Sequence, residues 1–226
     1  MKNRTLFCIL TAIFLVVFIN ISYSQTSQPL PAQEQNQILK TITEKLSAVN
    51  NLKAEFKQSR HMEILIDPLV SEGYCYFEKP DKLRWELNEP YQSILIYNAN
   101  EVGKFNIKNG KAEKLNLGTE DLMREILKQI ISWMQGDFSK AAEIYDLKVY
   151  KSDRFKLVLT PKSIELIKSI QSIEMTFNKN LESISVVQIN ESAENFIKIE
   201  FSKEQNNISL DKSLFDTNKP LIKATP

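Results

Sequence analysis

Histidine, cysteine and glycine are scarce in this chain. One histidine, His61, and two cysteines, Cys8 and Cys75, are spread over 226 residues. Nucleophilic catalysis by Ser or Cys needs a base, most often histidine, and a lone His61 in SRHMEI carries no paired signature. Zinc-ligand spacing is absent for the same reason. The five glycines form no GxGxxG or GxxxxGK run, so phosphate-cradling loops are excluded. An excess of one charge is also missing. The formal net charge is +1, and Trp85 and Tyr91 do not interleave with a basic stripe, so no nucleic-acid binding is expected. Acidic pairs occur as Glu86/Glu89, Glu120/Asp121 and Asp211/Asp216. They fall at a strand end, a helix start and a tail, where capping and solvation account for them. The expectation is a protein that is not an enzyme, with no metal and no cofactor.

What is present begins with an address. Lys2 and Arg4 precede an apolar run from Leu6 to Ile19, about 14 residues, within the length of a signal-peptide core and short of a membrane span. Ser22-Tyr23-Ser24 supplies small residues for a peptidase, so residues 1–24 read as a signal peptide cleaved after Ser24. An uncleaved anchor is the alternative. Cleavage removes two cations and Cys8, leaving a balance of −1 and Cys75 alone, with no internal disulfide. Cys75 in Gly73-Tyr74-Cys75-Tyr76-Phe77 reads as a buried, inert thiol. Residues 25–33, QTSQPLPAQ, read as a flexible leader, and 34–226 as one domain with one sizeable core.

Hydrophobic spacing then divides the chain. Ile38, Ile42, Leu46 and Val49 make one stripe of a helix, roughly 34–50. From residue 54 the period changes to two. Leu83, Trp85 and Leu87 alternate with polar neighbours; later so do Phe155 to Leu159, Ile173 to Phe177 and Ile197 to Phe201. Asn109-Gly110 is a strong hairpin signal after Phe105 and Ile107, and Asn178-Lys179-Asn180 is another turn. About ten short strands result, which suggests an antiparallel sheet or barrel curling on itself. One segment interrupts them. Residues 119–135, TEDLMREILKQIISWMQ, read as a helix with an unusually wide apolar stripe, and a second short helix is placed at 162–169. The wide helix either caps a solid core or closes a concave sheet over a greasy ligand. Its Met and Leu/Ile side chains repack easily around a variable shape.

Five stretches together resemble the periplasmic lipoprotein carrier family LolA. AEFKQSR is similar to the family's early F-x-Q strand, and GYCYFEKPDKLRW to its glycine, aromatic, basic-Pro and Trp segment. PYQSILIYNA, FKLVLTPK and NISLDKSLFD follow in matching order and spacing, so the resemblance covers nearly the whole chain after the leader. Departures exist. Lys79 stands where the family often has Arg, Ala99 where it has Gly, and the 119–135 helix is longer.

The resemblance implies a mainly β, α+β fold: an unclosed antiparallel β-barrel wrapped over helices that form a lid on an apolar cavity. It implies a monomeric periplasmic carrier that shields the acyl chains of lipoproteins between the inner and outer membranes. An inner-membrane release complex and an outer-membrane receptor would be its partners. Other lipid cargo, such as an aryl-polyene pigment lipid, or a lipid-sensing role on the same scaffold, are the alternatives. The candidate cavity residues are Phe56, Leu83, Trp85, Leu87, Ile94 and Ile96 from the sheet. Met123, Ile126, Leu127, Ile130 and Met134 are the candidates from the helix, and Lys79 and Arg84 those for polar control of the lid.

Overall fold

The computed structural model describes residues 28–99, 101–116 and 120–222, without the side chains at 120–123 and 126. The expected signal peptide, 1–24, and the first part of the expected leader lie outside the described residues. Helix α1 (Ala32–Ser47) leads into six strands: β1 (Asn51–His61), β2 (Leu69–Glu78), β3 (Lys82–Glu89), β4 (Ser93–Asn98), β5 (Glu101–Lys108) and β6 (Lys111–Lys114). Helices α2 (Glu120–Met134) and α3 (Ser139–Ile144) follow. The chain continues as β7 (Tyr145–Lys151), β8 (Phe155–Pro161), α4 (Ile164–Ile167), β9 (Ser172–Phe177), β10 (Ile184–Asn190) and β11 (Phe196–Asn206). A short 3-10 helix, Lys212–Phe215, lies in the tail.

The strands form a single 11-stranded antiparallel sheet in the order β6-β5-β4-β3-β2-β1-β11-β10-β9-β8-β7. Two meanders are therefore joined by pairing of β1 with β11, while β6 and β7 remain edges, and the barrel stays open. Helices α2 and α3 carry the chain from one edge to the other. The Asn109-Gly110 hairpin forms as the sequence indicates, with φ of 51° and 70°, both positive as such a tight turn requires. Gly136 (φ 79°) ends α2 and packs on α1, where an added Cβ would lie 2.9 Å from the Thr43 carbonyl.

Among the described residues three apolar clusters form the core. The first joins Ile42 and Leu46 of α1 to Leu157, Leu159, Met175 and Phe177 of the β7–β9 half. The second sets Leu127 and Ile131 of α2 against Phe56, Phe77, Leu83 and Tyr97 of the β1–β4 half. The third lies on the other face of β2–β5, where Leu214 and Phe215 of the tail cover Tyr76, Ile94, Ile96 and Phe105. The tail backbone presses close enough that a Cβ on Gly103 would meet the Thr217 carbonyl at 2.5 Å.

Candidate functional site

Period-two alternation puts Leu52 and Gln58 of β1, Phe77 of β2, Leu83 and Trp85 of β3 and Leu95 of β4 on one face of the sheet. From the other half, β9–β11 contribute Met175, Val187, Ile189, Ile199 and Phe201. The α2 side chains Leu127, Ile130, Trp133 and Met134 face them, with Leu46 and Val49 at the end of α1. Between these surfaces lies a cavity of about 290 Å³ whose lining is apolar except for Gln58, Glu182 and Ser183. A volume near 300 Å³ is at the small end of ligand pockets.

The structure brings Leu83, Trp85, Leu127, Ile130 and Met134 together on this cavity. Leu87 faces the same side and packs against the second cluster beyond the cavity wall. Phe56 is buried behind the wall, stacked on Trp85 at 4.0 Å between ring centroids. Its ring also lies over Gly73, where an added Cβ would come within 3.0 Å of it and 1.8 Å of the Glu86 carbonyl. Ile94 and Ile96 do not reach the cavity. Leu83 faces Tyr97 and Trp85 faces Leu95, so Ile94 and Ile96 point to the opposite side, beneath the tail. The side chains of Met123 and Ile126 lie outside the described residues.

The two basic candidates separate as well. Arg84 alternates away from the cavity and is completely buried on the face covered by the tail. It donates to Glu86 at 2.9 Å, to the Leu214 carbonyl at 3.1 Å and to the Leu221 carbonyl at 2.6 Å. Its contacts hold the tail, on the face of the sheet away from the cavity and α2. Lys79 sits in the β2–β3 turn and donates through Nζ to the Ser47 carbonyl at the C-terminal end of α1. A cation is favoured there by the helix dipole and the unsatisfied last carbonyls. Desolvation lowers its pKa below the ordinary lysine value. One residue on, the Pro80 carbonyl accepts from Gln135 Nε2 at 2.6 Å, just past α2. The Gly136 carbonyl accepts from Thr43 Oγ1 at 2.9 Å. The β2–β3 turn thus touches the ends of both helices that close the cavity.

These features converge on one assignment, because residues 47–218 match the family described as outer membrane lipoprotein carrier protein LolA. The chain belongs to the LolA family. An outer-membrane lipoprotein carrier protein of Francisella philomiragia subsp. philomiragia is 26% identical over 94% of this chain and 93% of its own. The protein of that name from Chromohalobacter salexigens is 24% identical over 85% of this chain and 88% of its own. Among solved structures, a LolA superfamily protein from Nitrosomonas europaea aligns with a TM-score of 0.39 at 9% identity, covering 79% of this chain and 97% of its own.

LolA-family membership accounts for the open antiparallel sheet and for the motif around Gly73, whose lack of a side chain is a steric requirement. Cys75 is fully buried, and burial pushes its thiol up to about 12, leaving no thiolate nucleophile near neutral pH. Among the described residues no cluster of His, Cys, Asp and Glu could hold a metal ion. Among those same residues no helix is long and apolar enough to cross a membrane. Sequence reasoning missed the wall from β9–β11. Ile199, Phe201 and Met175 were legible as alternating strand residues, but nothing local signals that β11 pairs with β1.

Proposed function

We propose that this chain is a periplasmic, non-enzymatic carrier whose cavity shields lipoprotein acyl chains from water between the inner and outer membranes. The observation that supports it most is the apolar cavity itself, bounded on one side by a concave sheet and on the other by α2. At ~0.8 kcal/mol per buried CH₂, a chain of about 16 carbons costs roughly 12 kcal/mol to expose. An aqueous crossing therefore needs a surface that replaces the bilayer. Aliphatic and methionine side chains supply such a surface and still release the guest.

The volume refines the mechanism. A cavity of about 290 Å³ is at the small end of ligand pockets, small for the several chains of a lipoprotein. Loading a lipoprotein with several chains then requires α1 and α2 to move off the sheet. The contacts of Lys79 and Gln135 at the helix ends are among the polar links that such a movement breaks, with the Val149 N–H donated to Gln35 Oε1 another.

The test is displacement of a fluorescent fatty acid from the protein without residues 1–24. Leu83→Glu or Leu127→Glu places an unpaired carboxylate in the cavity and is expected to reduce affinity at least about tenfold. Leu127→Met is expected to retain binding. Unchanged binding in both acidic variants, with a native circular-dichroism spectrum, would contradict the reading.

A further inference from the structure

The large apolar side chains that stand exposed among the described residues all lie at one end of the sheet. The register establishes this end. His61 faces Phe196, Asn190 faces both Phe196 and Ser172, and Glu72 faces Glu89. The β1–β2, β3–β4, β8–β9 and β10–β11 connections therefore share one rim. On it Ile66 is fully exposed, Ile64 is 87% exposed and Tyr91 83%. Leu65, Leu69 and Val70 are exposed beside them, and Ile164 and Ile167 of α4 continue the rim. The opposite rim, which carries Lys79, has no exposed large apolar side chain among the described residues. Such segregation is not expected of scattered surface hydrophobics.

The β1–β2 loop is held in place at its base. Leu65 N donates to the Met62 carbonyl at 2.9 Å, and Glu63 N donates to Asn195 Oδ1 at 3.0 Å. Arg60 pairs with Glu191 at 3.2 Å just before it. Ile64 and Ile66 thus project from an anchored turn.

We propose that this rim docks the protein on a lipid bilayer, with Ile64 and Ile66 inserting at the headgroup–acyl boundary and Tyr91 lying at the interface. The chemistry favours lipid over a protein partner. The loop tips Ile64 and Ile66 are aliphatic, whereas protein hot spots are enriched in Trp, Tyr and Arg and poor in Leu and Val, so the case for lipid rests on the tips rather than on Tyr91. Tyr, with an apolar ring and a polar tip, suits a membrane interface. The loop carries Glu63 and Asp67 and no Lys or Arg over residues 62–70, so insertion of its tips does not depend on attraction to anionic headgroups, although Lys108, Lys111, Lys162 and Lys168 stand elsewhere on the rim. Binding is therefore expected to survive added salt. Gln58, which lines the cavity, lies four residues before Met62 on β1, or about 13 Å at ~3.3 Å per residue. Docking at this rim brings that end of the cavity towards the bilayer.

The proposal is independent of what the cavity holds, and flotation of the empty protein without residues 1–24 with phosphatidylcholine vesicles tests it. The wild type is expected to float, with little change when salt rises from about 0.1 to about 0.5 M. The double variant Ile64→Ser/Ile66→Ser is expected to bind at least about tenfold more weakly. Its fatty-acid binding should be unchanged, which separates a lost dock from a lost fold or cavity. A fluorophore on Ile66→Cys should shift to the blue on vesicles; the buried Cys75 leaves that thiol as the reactive one among the described residues. Absence of flotation by the wild type, equal flotation of the double variant, or binding only to anionic vesicles at low salt would overturn the proposal. So would a dimer that the double variant abolishes, since the occupant would then be a second copy.

Discussion

Arg84 is the most demanding residue in the fold. A guanidinium with no exposed surface is tolerated because Glu86 and two tail carbonyls receive its hydrogens. Arg84→Met leaves Glu86 without its partner, and a loss of about 3–5 kcal/mol in urea unfolding is expected. The double variant Arg84→Met/Glu86→Leu should recover much of that loss, because both buried charges are then gone. Ala99 shows the reverse situation. The sequence departs from the family's glycine there, yet the backbone keeps φ at 47°, in the left-handed region that glycine tolerates best. The sequence placed Arg84 among the polar neighbours of an alternating strand, so its complete burial was not legible there. Its two tail partners were not legible either, because Leu214 and Leu221 are more than 100 residues away in sequence.

At the level of elements, α2 was the clearest reading. Its expected span, 119–135, closely matches Glu120–Met134, and its wide apolar stripe is explained by Leu127 and Ile131 meeting the β1–β4 cluster while Trp133 meets the cluster of α1 and β7–β9. Strand β4 was legible as a strand but not in its facing. Ser93-Ile94-Leu95-Ile96-Tyr97 is apolar on both faces, because one meets the cavity and the other the tail. A period of two reveals the inward side only when the outer side is wet. Helix α3 was missed, being a six-residue segment too short to show a period. The element most relevant to opening is the β2–β3 turn. Lys79→Met removes its link to α1 while leaving the sheet pairing intact. The expected outcome is faster uptake and release of fatty acid in stopped-flow measurements. Lys79→Arg, which keeps a donor in reach, should stay close to wild type. Equal rates in all three proteins would remove the turn from the account of opening.

For the whole molecule, the meeting of β1 and β11 in mid-sheet decides the function-bearing shape. Both meanders contribute a wall, the helices between them supply a roof, and two free edges leave the sheet able to flex. A closed barrel of this strand number would lack that freedom. The apolar rim and the Lys79 turn lie at opposite ends, so docking and latching are spatially separate. The two tryptophans of the chain, Trp85 and Trp133, both line the cavity, one from the sheet and one from α2. Their fluorescence therefore reports directly on a guest between those layers. The decisive measurement is titration of the protein without residues 1–24 with a fatty acid carrying a quencher along its chain. Saturable quenching of tryptophan emission, reversed by unlabelled fatty acid and lost in Leu127→Glu, is the predicted result. Emission that stays constant across the titration, in a protein with native circular dichroism, would contradict an acyl-chain cavity between sheet and helix.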